Sequence, residues 1–269
     1  MLSFPNIKIN LGLNITEKRE DGYHNLESCF YPVMWQDALE IIESDSLKME
    51  ITGIAIPGTV KSNLCMKAYN LLSKDFEISP VHIHLHKAIP TGTGLGGGSG
   101  NASFMLKLLN DFFELNLKKE QLAAYALQLG SDCPFFVHNS PAIAKGRGEE
   151  LENLEGFLKG KYIQIVCPGV HISTAEAYKN ITPKKIETPT KEILAKPIEE
   201  WKEKLVNDFE AWAIQQHPII GDIKNRMYKQ GAKYTAMSGS GSAIFGIYDA
   251  EATPLTFEDA AVVVWNGVL

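Results

Sequence analysis

Six glycines fall within nine positions of this 269-residue chain, from Gly92 to Gly100, and an amphipathic helical pattern begins directly after them. Glycine reaches backbone angles that other residues avoid and has no Cβ, so a ligand can approach the main chain closely. A helix that starts at such a loop presents unpaired N–H groups and the positive end of its dipole. The stretch therefore predicts an anion-binding loop of the kind that holds nucleotide phosphates, with a flexible turn as the alternative.

Two familiar phosphate-binding motifs do not account for this loop. The spacing Gly92-Thr-Gly94-Leu-Gly96-Gly97 satisfies the dinucleotide fingerprint, but that fingerprint belongs to a strand–turn–helix unit that continues into a parallel strand. Here the pattern after the loop predicts a helix to about Leu115 and then a second helix, Lys119–Leu129. The P-loop motif fails as well, because Gly98-Ser99 stands where Gly-Lys-Ser/Thr is required. Among the enzymes that bind nucleotides through such loops, a dehydrogenase is therefore the weakest hypothesis.

Composition excludes several classes of protein. The formal net charge of −6 argues against non-specific binding of nucleic acids, which depends on basic patches. The four cysteines are widely spaced and form no Cys-X-X-Cys pair, so neither a zinc site nor a disulfide framework is indicated. The first residues lack the features of a leader peptide, and nothing approaches the ~20 apolar residues of a membrane span. We expect a soluble cytoplasmic protein that does not associate with a membrane.

The N-terminal segment predicts a strand with an unusual polar face. Residues Asn6 to Ile15 alternate strictly between apolar and polar side chains, which indicates a strand with one buried face. The other face carries a single lysine, Lys8, between asparagines and followed by Gly12. This face is either an ordinary solvent-exposed surface or part of a functional site.

Three histidines on the strand before the glycine loop raise the question of a metal site. His82, His84 and His86 share one face of the predicted strand Val81–His86, and imidazole is a common zinc ligand. Three rings spaced two residues apart on one strand rarely reach a single ion, and no Asp, Glu or Cys nearby completes a ligand set. We therefore expect no protein-held metal here.

Asp132 is a single carboxylate among Cys133, Pro134 and two phenylalanines. A carboxylate in apolar surroundings must be paired or functional, because its charge is otherwise costly to bury. From the residues alone, a structural helix cap and a catalytic role are equally good interpretations.

The second half of the chain predicts a separate domain. A buried strand, Tyr162–Cys167, is followed by a capped helix start at Ser173 and an exposed Lys- and Pro-rich connection, Asn180–Pro197. Two helices, Ile198–Gln216 and Pro218–Gln230, then precede two strands around a Gly/Ser turn at 238–242 and a last strand, Ala260–Trp265. The boundary is expected within residues 155–161.

These elements in this order resemble the GHMP kinase superfamily over nearly the whole chain. The glycine loop indicates the superfamily alone, whereas two elements are more specific: Asp21-Gly-Tyr-His24, and Leu129-Gly-Ser-Asp-Cys-Pro-Phe-Phe136. The match also covers Lys8-Ile-Asn10-Leu, Asn207-Asp-Phe-Glu210 and Ser238-Gly-Ser-Gly-Ser. The specific elements are similar to the branch that phosphorylates the 2-hydroxyl of a cytidine diphosphate-linked methylerythritol in the non-mevalonate isoprenoid route.

The resemblance implies a two-domain α/β (α+β) fold with an active site in the cleft between the domains. Residues 1–157 would form a ribosomal-protein-S5-like N-terminal ATP-binding domain, and residues 158–269 a ferredoxin-like C-terminal domain. It also implies ATP with Mg²⁺, a small-molecule substrate, no nucleic-acid partner, and a monomer or homodimer.

Site residues follow from the same resemblance. Asp132 would be the general base and Lys8 the cation beside it, with Asn10, Tyr23, His24 and Tyr178 binding the substrate. Tyr178 could instead pack into its domain. The residues implied for ATP are Asn63, Pro90, Thr91, Gly92, Thr93, Gly94, Leu95, Gly96, Gly97, Gly98, Ser99 and Gly100.

One departure concerns the metal. Many members of the family read Gly-Gly-Gly-Ser-Ser-Asp-Ala-Ala, where this chain has Gly100 and Asn101 in place of the second serine and the aspartate. Asn101 offers no charge to Mg²⁺, so water and the phosphates would supply most of its ligands, as is common for this ion. Two alternatives stay open: a mevalonate or homoserine type of GHMP kinase, and a non-catalytic nucleotide-binding protein with the same fold.

Overall fold

A computed structural model describes the whole chain, residues 1–269. The strands are β1 (Leu2–Ser3), β2 (Asn6–Lys18), β3 (His24–Gln36), β4 (Ala38–Glu43), β5 (Lys48–Gly53), β6 (Val81–Lys87), β7 (Ala142–Lys145), β8 (Glu150–Asn153), β9 (Tyr162–Cys167), β10 (Tyr234–Met237), β11 (Ile244–Tyr248) and β12 (Val263–Val268). The helices are α1 (Leu64–Leu72), α2 (Gly97–Phe112), α3 (Lys119–Leu129), α4 (Cys133–His138), α5 (Thr174–Lys179), α6 (Thr190–Leu194), α7 (Glu210–Gln216) and α8 (Ile219–Lys229). None of the helices combines the length and the apolar character that crossing a membrane requires.

The chain divides into two compact units, both discontinuous in sequence. Unit one consists of Met1–Ile7, Trp35–Thr91 and Gly96–Ser140. Unit two consists of Lys8–Met34, Gly92–Leu95 and Pro141–Leu269. The glycine-rich stretch therefore contributes residues to both.

Unit one is a four-stranded sheet with helices on its apolar face. The strand order is β1-β4-β6-β5, in which β5 and β6 run parallel and the other pairs antiparallel. Inward-pointing residues of β4 and β6, such as Leu39, Ile83 and Leu85, pack in one core with residues of α1, α2 and α3. This core fixes the position of α2, the helix that follows the glycine loop.

Unit two contains two four-stranded sheets, ordered β2-β3-β7-β8 and β10-β11-β9-β12. The second sheet is antiparallel throughout. Leu13 and Ile15 of β2 share a core with Val166 of β9 and Met227 of α8, so the N-terminal strand packs with elements from the C-terminal half.

Most predicted elements are confirmed, and two agree in both limits. Helix α3 and strand β9 begin and end where the sequence pattern predicts. The last strand lies three residues further along the chain than predicted, because β12 begins at Val263. The mixed α/β fold class is confirmed.

The predicted helix Ile198–Gln216 is wrong. A short 3-10 turn occupies Ile198–Glu200, and regular helix resumes only at α7. Between them, Val206 and Asp208 bond through their backbones to Leu13 of β2. Pairing with a strand therefore overrides the helical preference of this segment.

The segment Asn180–Pro197 is not wholly the exposed connection that its composition predicts. Helix α6 lies within it and buries Ile193 and Leu194, while the side chain of Thr190 is inaccessible. Glu27 accepts a hydrogen bond of 2.7 Å from the backbone N–H of Thr190, which ties the start of α6 to β3.

All four cysteines are buried free thiols. Cys65 and Cys133 lie in unit one, and Cys29 and Cys167 lie in unit two. Burial raises the pKa of each thiol, to about 12 for Cys65 and Cys167 and to about 11 for Cys133.

The packing of α2 explains why glycine stands at position 100. A Cβ at Gly100 would come within 2.6 Å of the backbone oxygen of Asn6, so the helix approaches the start of β2 at backbone distance. At Gly98, two residues earlier, the nearest atom to such a Cβ is Leu64 Cδ1 at 3.8 Å, an ordinary contact.

Gly100→Ala is expected to lower the free energy of unfolding by about 1–3 kcal/mol, the usual cost of overpacking a tight site. Gly98→Ala is the matched control, because alanine favours a helix over glycine by about 1 kcal/mol and has room here. Denaturant unfolding without nucleotide measures both variants. Equal free energies of unfolding for Gly100→Ala and Gly98→Ala would show that the contact with Asn6 does not constrain α2.

Candidate active site

The glycine loop has a backbone conformation that glycine adopts without strain and that other residues disfavour. Gly92, Gly94 and Gly96 have φ values of 68°, 79° and 71°, in the left-handed region that side chains disfavour. A Cβ at Gly94 would overlap with the carbonyl oxygen of Ser238. The interpretation of the loop as a merely flexible turn does not fit this close approach.

The second Gly/Ser turn holds the first one within unit two. Ser238 Oγ lies 3.1 Å from the carbonyl oxygen of Gly94, and Ala243 donates its N–H to the carbonyl of Thr93 at 3.0 Å. Asn207 Nδ2 donates to the carbonyls of Met237 and Gly239, both at 2.8 Å. No functional role for this turn follows from the sequence alone, although its repeated Gly and Ser are typical of a close approach between two backbones.

The polar face of β2 is buried, so the solvent-exposed interpretation is wrong. Lys8 is 3% exposed and Asn10 is 1% exposed. The Lys8 ammonium donates to Asn10 Oδ1 and lies 4.6 Å from the ring centroid of Phe30, a cation–π contact. Asn10 Nδ2 donates in turn to Ser28 Oγ at 2.9 Å.

Lys8 also contacts the glycine loop through its main chain. Its backbone N–H donates to the carbonyl oxygen of Leu95 at 2.9 Å. Strand β2 therefore positions the Lys8 side chain and the end of the Gly92–Leu95 segment together.

The start of α2 is suited to an anion. Gly96 occupies the N-cap position in the left-handed conformation and provides no side-chain cap. The first backbone hydrogen bond of the helix runs from the N–H of Gly100 to the carbonyl of Gly96. The N–H groups earlier in this first turn, from Gly97 to Ser99, therefore have no acceptor within the helix. A Cβ at Gly97 or Gly98 would have its nearest neighbours at 3.5 and 3.8 Å, which are ordinary contact distances, so the main chain is less crowded here than at Gly94 or Gly100.

A buried ion pair anchors this helix start within unit one. Lys87, the last residue of β6, pairs with Asp37, and the side chains of both are almost inaccessible to solvent. Asn101 completes the network, since its amide donates to Asp37 Oδ2 at 2.8 Å and its oxygen accepts from Lys87 at 3.1 Å. Asp37 Oδ1 also accepts from the N–H groups of Ala88 and Ile89, which lead into the glycine loop.

This network explains one departure from the family pattern. Both polar atoms of the Asn101 side chain are engaged by Asp37 and Lys87 inside the protein. The amide is therefore a structural link between β6 and α2.

Asn63 and Asp132 both occupy the N-cap position of a helix, but only the Asn63 side chain makes a capping hydrogen bond. Asn63 Oδ1 accepts from the N–H of Cys65 at 2.8 Å, which confirms the predicted N-cap of α1. Asp132 occupies the N-cap position of α4, yet its half-buried side chain makes no capping hydrogen bond. The structural-cap interpretation of Asp132 is therefore wrong.

The residues implied for the substrate lie in unit two. The rings of His24 and Tyr178 face each other with centroids 5.0 Å apart, and Tyr178 also packs edge-on against Phe209. Tyr23 is 54% exposed, and the guanidinium of Arg147 lies 4.9 Å from its ring centroid. Burial, together with the positive charge of Lys18, lowers the pKa of His24, so its imidazole is neutral at pH 7.

The histidine face of β6 belongs to a hydrogen-bonded surface. Thr52 Oγ1 lies 2.9 Å from His84 Nε2 and 3.0 Å from His86 Nδ1. No group of three or more His, Cys, Asp or Glu side chains is arranged to hold a metal ion.

Two family models match the chain. One, described as the GHMP kinases N terminal domain, matches residues 63–140, and the other, GHMP kinases C terminal, matches residues 190–260. The chain is also 52% identical over 257 residues to a protein of Bacteroides thetaiotaomicron named 4-diphosphocytidyl-2-C-methyl-D-erythritol kinase, with 94% of each chain covered. A Cytophaga hutchinsonii protein of the same name is 49% identical, with 96% of each chain covered.

The chain belongs to the GHMP kinase family. This confirms the resemblance drawn from the glycine loop and the Asp132 element, and it makes the protein a kinase, an enzyme that uses ATP.

Solved GHMP kinases have the same fold. A crystal structure of 4-(cytidine 5'-diphospho)-2C-methyl-D-erythritol kinase superimposes with a TM-score of 0.78 at 32% identity, covering 92% of this chain and 90% of the other. The mevalonate kinase of Methanococcus jannaschii gives a TM-score of 0.71 at 15% identity, covering 99% and 97% of the two chains, which shows a common fold and no more.

Asp37→Asn is expected to destabilise this GHMP kinase strongly, because it leaves the Lys87 charge buried without its partner. Breaking a buried ion pair from one side typically costs about 3–5 kcal/mol. Glu200→Gln is the control, since it removes an exposed ion pair with Lys204, whose loss costs at most about 1 kcal/mol. Thermal and denaturant unfolding would measure both, and similar losses in the two variants would contradict the anchoring role of Asp37.

Proposed function

We propose that this GHMP kinase transfers the γ-phosphoryl group of ATP to the 2-hydroxyl of 4-diphosphocytidyl-2-C-methyl-D-erythritol, in non-mevalonate isoprenoid biosynthesis. The observation that carries the proposal is the near-full-length identity of about half the residues to relatives with that name. It is supported by His24 and Tyr178, whose ring centroids lie 5.0 Å apart and which offer polar and aromatic groups suited to a pyrimidine base, with Tyr23 next to His24 in the sequence.

Phosphoryl transfer depends on positioning and on charge stabilisation more than on covalent chemistry. ATP supplies the group that is transferred. The backbone N–H groups at the start of α2 would bind its phosphates, Asp132 would accept the proton of the attacking hydroxyl, and Lys8 would stabilise the developing negative charge. The further residues proposed for ATP are those of the segment from Pro90 to Gly100, together with Asn63 beside the adenine.

The proposed domain division places residues 1–157 in an N-terminal domain and 158–269 in a C-terminal domain. The two family models lie on either side of this boundary. The compact units divide the chain differently because β2 shares a core with strand β9 and helix α8.

Magnesium is proposed to accompany ATP. The protein offers no cluster of acidic or imidazole ligands, and the Asn101 amide is engaged by Asp37 and Lys87. The ion would therefore keep water and phosphate oxygens as its main ligands, as magnesium commonly does.

Discrimination for cytosine is proposed to come from His24. A neutral imidazole has one nitrogen that accepts a hydrogen bond, and cytosine presents an amino group where uracil has a carbonyl oxygen. The low pKa of His24 favours this neutral form. Aromatic stacking on Tyr23 or Tyr178 adds affinity for any base without selecting one.

A coupled ADP-release assay tests the proposed substrate directly. We expect turnover with the cytidine diphosphate-linked methylerythritol and none with mevalonate or homoserine. Preference for either of the latter would overturn the substrate assignment and leave the family membership intact. A protein that binds ATP and turns over none of the three would favour the non-catalytic alternative.

Asp132→Asn is expected to lower kcat by ~10²–10⁴-fold, the usual contribution of a general base. ATP binding, measured by calorimetry, should be largely unchanged. A variant that retains most of its kcat would remove Asp132 from the chemistry.

Tyr178→Ala is expected to raise the KM for the cytidine substrate by roughly 10- to 100-fold, since stacking on an aromatic side chain contributes ~1–3 kcal/mol per base. The KM for ATP should change little. Tyr178→Phe keeps the ring and serves as the control. If Tyr178→Ala leaves the KM for the cytidine substrate unchanged, Tyr178 has a packing role beside His24 and Phe209 and does not bind the base.

A further inference from the structure

Three polar residues on one face of α2 contact α4. They are Ser99, Ser103 and Lys107, which are spaced four residues apart and therefore follow one another along the same side of the helix. Both helices lie within unit one, and α4 begins directly after Asp132. The proposed chemistry uses the start of α2 and the Asp132 carboxylate, but it assigns nothing to the contacts between these two helices.

Ser103 makes the central contact and is completely buried. Its hydroxyl oxygen lies 2.7 Å from the carbonyl oxygen of Cys133, the first residue of α4, and 2.9 Å from the carbonyl oxygen of Ser99, one turn earlier in α2. A hydroxyl has a single proton to donate, and the shorter of the two distances is the one to α4. Ser103 therefore connects the first turn of α2 with the residue that follows Asp132.

Cys133 is held through its backbone and through its side chain. Its N–H donates to the carbonyl of Gly130 at 3.1 Å, and its own carbonyl accepts from Ser103. Burial raises the pKa of the Cys133 thiol to about 11, although hydrogen bonds with the side chains of Ser99 and Ser103 lower it. Because Asp132 lies between Gly130 and Cys133 in the sequence, these contacts restrict the backbone that carries its carboxylate.

Lys107 holds the other end of α4. Its ammonium donates to the carbonyl oxygen of Phe136 at 3.3 Å and lies 4.0 Å from the ring centroid of Phe104. The last carbonyl groups of a helix have no partner within the helix, so a cation at this position satisfies one of them. Helix α4 is therefore attached to α2 near both of its ends.

The spacing between the two helices matters for phosphoryl transfer. In the proposed function, the N–H groups from Gly97 to Ser99 bind the phosphates of ATP, and Asp132 accepts the proton of the attacking hydroxyl. The attacking oxygen must stand roughly in line with the bond that breaks. A misplacement of about 1 Å, caused by a change far from the chemistry, can lower the rate by about 10²-fold.

We propose that Ser103 is a positioning residue for Asp132. By holding α4 against α2, it sets the distance from the Asp132 carboxylate to the phosphates bound at the start of α2. This role rests on the proposed function of Asp132 as the general base. Because Ser103 is completely buried, it acts through Asp132 and not by contact with ATP or with the alcohol.

Ser103→Ala removes the hydroxyl and leaves the rest of the side chain in place. We expect kcat to fall about 10- to 100-fold while the KM values for ATP and for the cytidine substrate change by no more than about twofold, because the contact bears on the transition state and not on binding. An unchanged kcat, or a loss that appears only in KM, overturns the proposal.

Tyr69→Phe is the matched control. It removes a hydroxyl on α1 that lies 3.2 Å from the carbonyl oxygen of Ser79, and Tyr69 belongs to the same core as Cys133. Its kcat should equal that of the parent protein. A loss of kcat as large as that of Ser103→Ala would show a general effect of weakening this core, and it would overturn the positioning role.

A second variant covers the case in which Ser103→Ala does not fold. Ser103→Cys keeps the shape of the side chain, but a thiol donates only weakly. It should show the same separation of effects, with a lower kcat and unchanged KM values. A folded Ser103→Cys protein with the kcat of its parent overturns the proposal.

A double-mutant cycle shows whether Ser103 acts through Asp132. In the Asp132→Asn background, Ser103→Ala should lower kcat by less than about twofold, because no base is left to misplace. If the losses of the two single variants multiply, Ser103 acts independently of Asp132 and the proposal fails.

The single variants separate this role from the proposed function. If Asp132→Asn loses kcat and Ser103→Ala does not, only the positioning role of Ser103 fails. If Asp132→Asn alone retains its kcat, Asp132 is not the general base, and the positioning role falls together with it.

Discussion

The close approach of Gly94 to the carbonyl of Ser238 determines the shape of the glycine loop. No side chain fits between the two backbones, so the loop and the Gly/Ser turn at 238–242 constrain each other. Ser238 also contacts Asn10, and Leu95 accepts from the backbone of Lys8, so the constraint extends to β2. The protein therefore holds the loop in one conformation, and for the proposed binding of ATP this pre-organisation lowers the entropic cost.

Each unit also contains a buried polar cluster whose members satisfy one another. In unit two, Lys8 and Asn10 of β2 and Ser28 of β3 form a chain of hydrogen bonds. In unit one, Asp37, Lys87 and Asn101 connect the end of β6 to the start of α2. Such clusters tolerate little change, because the loss of one member leaves a charged or polar neighbour buried alone.

Much of this arrangement could be predicted from local patterns. Alternation predicted β2, a short apolar run predicted β9, and the glycine cluster predicted the start of α2, because all three signals depend on nearby residues alone. The burial of the polar face of β2, the role of Asn101 and the irregular segment before α7 could not be predicted. Each of these depends on a partner far away in the sequence, such as Asp37 for Asn101, or Leu13 for Val206 and Asp208. The proposed roles of Lys8 and Asp132 rest on the family resemblance and not on their positions in the sequence.

Chemical modification of the four buried thiols can report where this protein opens locally. A thiol reacts as its thiolate, and burial suppresses that form at Cys29, Cys65, Cys133 and Cys167. Alkylation therefore proceeds only in the fraction of molecules that have opened locally. Since each unit contains two cysteines, the rate of modification at each site distinguishes loosening of one unit from loosening of the other.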